Sequence, residues 1–307
     1  MSVGAFTAAT DTGRKRRRNE DAYVVAPPLF AVADGMGGAQ AGEVASRLAA
    51  AALSDTDAGS LFGPARVTSL IQEANRRVHE RSSADPATSG MGTTMTVALV
   101  EGDTVVFGHV GDSRAYLLRD GGLDQITEDH SLVNELLKSG RLSPEEAETH
   151  PQRAVITRAV GTDPDVDVDA FAVPARTGDV FLICSDGLTD MVGDGEILEL
   201  LQGHRDELPK AAKALVAAAN RHGGEDNITV VAFEIADDPA ADEEGATLTM
   251  PAVGSELEDT VVDAPSPAAE AADAKLGDPP AARMRLALTM AGMLAVAALL
   301  LVWGLVR

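Results

Sequence analysis

Apolar positions in this chain follow two periods, and the changes of period mark out its elements. Residues 3–10 and 22–26 read as strands, and Leu29 to Ala33 is a short apolar run of the kind a buried strand makes. Met95–Val100, Thr104–Val110 and Ala115–Leu118 form a β-rich meander, with turn signals at Glu101-Gly102-Asp103 and Asp120-Gly121-Gly122. Asp169–Val173, Asp179–Cys184 and Ile228–Ile235 are three further strands. Helical spacing governs Glu43–Leu53, which is alanine-rich, and Pro64–Ser82. In the latter, Val67, Leu70, Ile71, Ala74 and Val78 share one face and Pro64 suits the first turn. Ser131–Ser139 reads as a short helix, and Ser143-Pro144-Glu145-Glu146 opens another with a capping signature. Glu196–Leu201 and Pro209–His222 are the last two helices.

Strands and helices do not alternate strictly. Meanders interrupted by helix pairs predict an α+β fold, with antiparallel sheets packed together and helices outside. The stretch 127–161 carries short helices and little core, and reads as an inserted subdomain. From Asp237 the periodicity stops. Residues 237–282 hold 12 acidic side chains against Lys275 alone, and read as a disordered acidic linker. Residues 283–307 contain Leu286 to Val306, 21 residues without a charge, about 31 Å as a helix and enough to cross a bilayer core. Arg283 and Arg285 precede that run, which places the preceding chain on the cytoplasmic side of a single-pass cell-membrane anchor. Ala287, Ala291 and Ala295 make a small-residue stripe suited to helix pairing.

Composition narrows the function. The 307 residues carry a formal charge of −23, which excludes general nucleic-acid binding; about half of that charge lies in the linker. The single cysteine, Cys184, sits in an apolar run, so no disulfide framework exists within one chain. The first residues lack the charged start and long apolar core of a secretory signal.

The candidate chemistry is acidic. Asp34 ends the run Leu29–Ala33 and precedes Gly35, Met36, Gly37 and Gly38. Asp-Gly after a strand also makes an ordinary turn. Here the pattern recurs at Asp21, Asp112, Asp186 and Asp226, each at a strand end or beside one. Hard carboxylates with no companion His or Cys select magnesium or manganese over zinc. Two such cations can share a water and lower its pKa. A phosphate bound there needs a fixed cation, and Arg14-Lys15-Arg16-Arg17-Arg18 leads straight into Asn19-Glu20-Asp21. The residues therefore point to metal-dependent phosphoryl hydrolysis.

The segments RRRNED (16–21), VADGMGG (32–38), MGTT (91–94), HVGDSRAYLL (109–118), ITEDHS (126–131), ITRAVG (156–161), ICSDGLTDMV (183–192) and GEDNITVV (224–231) give the chain its resemblance to a family. It resembles the bacterial metal-dependent protein serine/threonine phosphatases of the protein phosphatase 2C type over about residues 3–236. The resemblance implies a central antiparallel β-sandwich flanked by helix pairs, four layers in all, over residues 1–236. It also implies a flap within 127–161 and two or three Mn2+ or Mg2+ ions in a cleft at one end. On this resemblance Asp34 bridges two metals and Gly35 offers its carbonyl to one. Glu20 and Asp21 bind a metal directly or through water, Asp186 and Asp226 hold the other, and Asp112 helps bind a third. Arg16 clamps phosphate, Arg17 and Arg18 are solvated neighbours, and Asn227 supports Asp226. The implied reaction is attack of a metal-bridging water on phosphoserine or phosphothreonine of cytoplasmic proteins, opposing a Ser/Thr kinase.

Many eukaryotic members of that family carry a histidine where this chain has Met36, so the proton donor is open between a metal-bound water and His150. His109 reads as a satisfied core histidine, and His79, His204 and His222 as helix-face or helix-end residues. Two other functions compete: a catalytically weak, phosphatase-like phosphoprotein-binding module at the membrane, and a membrane sensor dominated by the last helix.

Overall fold

A computed structural model describes residues 1–37, 41–56, 60–148 and 150–237. In chain order the elements are β1 (Ser2–Asp11), β2 (Asp21–Ala26), β3 (Leu29–Met36), α1 (Ala41–Asp55), α2 (Gly63–Ala84), β4 (Gly92–Thr93), β5 (Met95–Glu101), β6 (Thr104–Val110), β7 (Arg114–Arg119), β8 (Gly122–Gln125), α3 (Leu132–Lys138), α4 (Pro144–Glu148), β9 (Asp169–Pro174), β10 (Val180–Cys184), α5 (Asp186–Thr189), α6 (Asp194–Gly203), α7 (Leu208–Arg221) and β11 (Ile228–Ala236). One sheet runs β1-β11-β10-β7-β8. The other runs β2-β3-β5-β6-β9, with β4 added to β3. The pairings are antiparallel throughout.

The central strands are buried on both faces, which is why they read as apolar runs and not as alternation. Phe30 and Val32 of β3 face the opposite sheet, where they meet Phe181, Ile183, Val231 and Phe233. Phe30 stacks on Phe233 with ring centroids 4.2 Å apart. Ala31 and Ala33 of the same strand face α1 and α2. On the far side, Leu182, Cys184, Val230 and Ala232 pack under α6 and α7. Each fully buried Phe or Leu side chain contributes about 1.5–3 kcal/mol. The result is the expected order of helices, sheet, sheet, helices. Gly108 on β6 makes one contact possible: a Cβ there would lie 2.8 Å from Ile71 and 3.2 Å from Val67, so glycine lets α2 lie close to the sheet.

Several boundaries differ from expectation. β3 continues past Ala33 through Asp34 to Met36, because Gly35 and Met36 pair with Thr93 and Gly92 of β4. Asp34 is thus held inside a ladder and not at a strand end. β8 and the short helix α5 were not legible, since four residues carry no period. The subdomain at 127–161 holds α3 and α4. The Ser143 capping signature forms as read: Glu146 N–H donates to Ser143 Oγ (3.2 Å) and Ser143 N–H to Glu146 Oε2 (2.9 Å). The bridge Ser131↔Ile156 closes the subdomain's own base, and Thr93↔Val160 ties it to the body.

The expected linker (apart from Asp237) and the expected membrane helix lie outside the described residues. Among the described residues no helix is long and apolar enough to cross a membrane.

Candidate active site

The register of β2 and β3 sets Asp21 directly opposite Asp34. Two like charges at opposed positions of an antiparallel pair repel, so this pairing costs stability unless something positive lies between them. The backbone of Asp34 is fixed. Its N–H donates to Thr94 Oγ1 (3.0 Å), and its carbonyl accepts from Thr94 N–H (2.8 Å) and Thr93 Oγ1 (2.7 Å). Asp21 is held through Asn19, whose Oδ1 accepts the Asp21 N–H (3.1 Å), and through Ser185 Oγ, which donates to its Oδ2 (2.9 Å).

Three more aspartates reach this end of the sandwich, two from the other sheet and Asp112 from the turn that joins the two sheets. Asp112 lies in the turn between β6 and β7, Asp186 begins α5, and Asp226 precedes β11. Gly187 lets α5 approach the last of these. A Cβ there would lie 2.0 Å from the Asn227 carbonyl oxygen, so any other residue would part Asp186 from Asp226. Gly35 and Gly42 make the matching close approach of β3 to α1. A Cβ on Gly42 would lie 2.6 Å from Gly35 O and 2.7 Å from Glu20 Oε2.

The loop 12–20 is pinned by Asn227. Its Oδ1 accepts Glu20 N–H (2.7 Å), and its Nδ2 donates to the carbonyls of Thr12 (2.9 Å) and Arg18 (2.8 Å). Ser46 Oγ adds a bond to the Glu20 carbonyl (2.5 Å). Asn227 was expected to support Asp226. It does so only through its backbone N–H (2.8 Å to Asp226 Oδ1); the side chain serves the loop instead. Arg16 Nη2 reaches Asp226 Oδ2 at 2.6 Å, so the expected phosphate clamp stands in the site and neutralises one acid of it. Arg18 lies 3.7 Å from Glu43, and Arg17 is exposed.

Arg16, Glu20, Asp34, Gly35, Asp112, Asp186, Asp226 and Asn227 line one cleft of about 520 Å³, whose other wall is the segment 154–162. A second hollow of about 550 Å³ shares Asp112 and Asp186 and runs under α3, past Arg114, Asp129 and Asp190. Asp21 sits beneath the cleft floor, opposite Asp34.

Burial, and then the charges of Asp21, Asp186, Asp112 and Asp226, push the Asp34 carboxyl well above the usual range. Asp186 moves the same way, through burial and then Asp112. Burial lifts Asp21 and Asp112 each to about 6, with Asp226 and Asp129 respectively adding to it. Glu20 is raised by burial against the pull of Arg16. Two oxygens, Asp21 Oδ1 and Asp186 Oδ1, are buried with no hydrogen-bond partner. An unpartnered buried carboxylate oxygen is costly, and a cation satisfies it. The donor set is oxygen only, which suits a hard divalent ion. Among the described residues no three of these side chains close around a single point.

Every site residue expected from the sequence reaches this end of the sandwich. Thr93, Thr94 and Ser185 fall inside the segments MGTT and ICSDGLTDMV but were given no role, and Ser46 and Gly42 were missed, because a buried hydroxyl or a helical glycine carries no sequence signal of its own. His150 is not among the cleft-lining residues, and its Nδ1 accepts the Gln152 N–H (3.2 Å). His109 is a satisfied core histidine, with Thr96 Oγ1 at 2.9 Å and the Glu128 carbonyl at 3.0 Å.

The comparisons with known proteins agree with this geometry. The family model described as Protein phosphatase 2C matches residues 13–222. The serine/threonine phosphatase stp of Listeria monocytogenes is 44% identical over 236 residues, covering 73% of this chain and 93% of that protein. The serine/threonine protein phosphatase PstP of Mycobacterium tuberculosis is 44% identical over 234 residues, which are 76% of this chain and 45% of that longer protein. A crystal structure of the M. tuberculosis enzyme superposes with a TM-score of 0.72 at 43% identity, over 76% of this chain and all of that one. A structure of the PstP catalytic domain in complex with two manganese ions gives 0.71 at 41%, over 77% of this chain and all of that one. Fold, cleft and sequence converge: the chain belongs to the protein phosphatase 2C family.

Proposed function

We propose that this chain hydrolyses phosphoserine and phosphothreonine esters of proteins with the help of two or three Mn2+ or Mg2+ ions. The observation that carries the reading is the opposition of Asp21 and Asp34, with two carboxylate oxygens left unpartnered beside them. Asp34, with the Gly35 carbonyl, lies between the two sheets' acids and would be shared by two cations. Glu20 and Asp21 would serve one and Asp186 and Asp226 the other, while Asp112, in the hollow beyond, would help hold a weaker third. Bound there, divalent cations supply an activated water and neutralise the phosphoryl oxygens. The chain's own part is to hold the acids rigidly, to present Arg16 as a planar donor to phosphate oxygens, and to wall the cleft with residues 154–162. Arg16 leaves Asp226 for the phosphate when substrate enters, so one guanidinium serves two anions in turn.

The test is hydrolysis of p-nitrophenyl phosphate and of a phosphothreonine peptide with manganese. Activity on both, abolished by EDTA, is expected. Arg16→Ala raises the apparent KM, because that contact exists in ground and transition states alike, while Arg17→Ala leaves it unchanged. A folded protein that binds the phosphopeptide without turning it over would make it a binding module.

The proposal extends to the cell: substrates made by Ser/Thr kinases, a catalytic part in the cytoplasm, and a membrane anchor at 283–307. The anchor is supported by the uncharged run Leu286–Val306, and the cytoplasmic side by Arg283 and Arg285 before it. Full-length protein should sediment with membranes, and a chain ending at Ala236 should not; full-length protein in the soluble fraction would rule the anchor out.

A further inference from the structure

The sequence reading gave no role to His130, which is buried at 5% exposure in the flap root. The structure places it against Gly111, the residue before Asp112. Gly111 N–H donates to His130 Nδ1 (3.0 Å), and the Gly111 carbonyl accepts His130 N–H (2.8 Å). Gly111 is therefore gripped on both sides by one residue. It has a φ of +112°, and a Cβ there would lie 2.6 Å from Thr94, the residue that locks Asp34. No other residue fits. On the other side of Asp112 the turn is held by Ser113, whose Oγ meets Thr94 Oγ1 (2.8 Å) and whose carbonyl accepts from Thr96 Oγ1 (3.1 Å), so His130 supplies the grip on the Gly111 side.

The grip depends on a tautomer. A ring nitrogen that accepts from an N–H carries no proton, so the proton sits on Nε2, where Asp169 Oδ2 takes it at 3.1 Å. The other oxygen of Asp169 accepts from Arg158 Nη1 (2.7 Å), and Arg158 lines the cleft. The His130 carbonyl accepts Thr157 N–H (2.8 Å), also on the cleft wall. Beside it, His109 donates its Nε2 proton to the Glu128 carbonyl, with the two rings 4.8 Å apart. The flap root, the cleft wall and the Asp112 turn thus meet at one histidine, through its backbone and its imidazole.

We propose that His130 is a positioning residue: held as the Nε2–H tautomer by Asp169, it clamps Gly111 and so sets where Asp112 presents its carboxylate to a cation. The inference rests on the metal reading of Asp112 given above.

Two substitutions separate the arms of the clamp. In His130→Asn the amide oxygen falls near the Nδ1 position and still accepts Gly111 N–H. In His130→Gln the amide reaches the Nε2 position and the Gly111 acceptor is lost. The first measurement is a long-range proton–nitrogen correlation on metal-free, nitrogen-15-labelled protein. It should show His130 as the Nε2–H tautomer, with the Gly111 amide shift retained in His130→Asn and displaced in His130→Gln. The second is manganese calorimetry. The weaker site should lose about 10–100-fold affinity in His130→Gln, as expected when a residue orienting a ligand is removed, and stay near wild type in His130→Asn. Asp169→Asn, which turns a donor toward Nε2 and forces the wrong tautomer, should follow His130→Gln. An Nδ1–H tautomer in the wild type, or equal manganese affinities in the Asn and Gln variants, would overturn the clamp. A wild type that takes up no manganese would sink the metal reading instead, and the metal-free spectra would still decide the clamp.

Discussion

Asn227→Ala is the substitution that most directly probes how the site is assembled. Asn227 is 3% exposed, and its side chain makes three bonds to one loop: Glu20 N–H at 2.7 Å, Thr12 O at 2.9 Å and Arg18 O at 2.8 Å. At about 0.5–1.5 kcal/mol net for each, their loss costs about 1.5–4.5 kcal/mol. For a domain of this size one kcal/mol moves the melting temperature by about 2–4 °C, so a fall of about 3–18 °C is expected. The loop carries Arg16 and Glu20 and leads into Asp21, so manganese half-saturation should rise by about 10–100-fold in the same protein. Asn227→Asp is the sharper partner. It keeps the acceptor for Glu20 but turns an oxygen toward two carbonyls, and it should lose as much stability. Asn220→Ala is the control, since it gives up only an exposed bond to Asp11 (3.1 Å). The assay is a thermal melt in EDTA beside a manganese titration of activity. A fall of less than about 2 °C in Asn227→Ala would show that the loop does not depend on this residue.

Asp34→Asn should abolish turnover and yet raise the melting temperature of the metal-free protein, because it removes a buried acid whose ionisation burial and Asp21 oppose; a metal-free protein made less stable by it would refute that penalty. Gly42→Ala should cost about 1–3 kcal/mol and raise manganese half-saturation, since the new methyl group would sit 2.7 Å from Glu20 Oε2, whereas Gly203→Ala, with open space around it, should be neutral or stabilising in the same melts. Stability in EDTA should fall as pH rises from about 4 past 6. Asp21 and Asp112 have folded pKa values of about 6 against an ordinary 3.8, so the folded state holds their protons more tightly. The penalty is absent below the lower value and complete above the higher. Asp21→Asn should flatten the slope of melting temperature against pH, and an unchanged slope would remove Asp21 from the explanation.

The sequence was most informative where chemistry is carried by residue type. Aspartates beside apolar runs, an arginine before Asn19-Glu20-Asp21, and helices with a clear apolar face such as α2 were all readable, because side-chain identity and local period are properties of the chain itself. Burial on two faces erased strand alternation but still left runs too apolar to be loops, so the strand count was nearly complete. What only the tertiary structure decided is how the acids meet. That Asp21 stands across from Asp34, that Gly187 and Gly42 permit two close backbone approaches, and that the Asn227 side chain serves the loop 12–20 all depend on strand register and on contacts between residues up to 215 positions apart. Register has no local signature, because it is chosen by the packing of both sheet faces at once. The same holds for His130, whose neighbours Gly111 and Asp169 come from other elements and whose tautomer is set only when all three are in place.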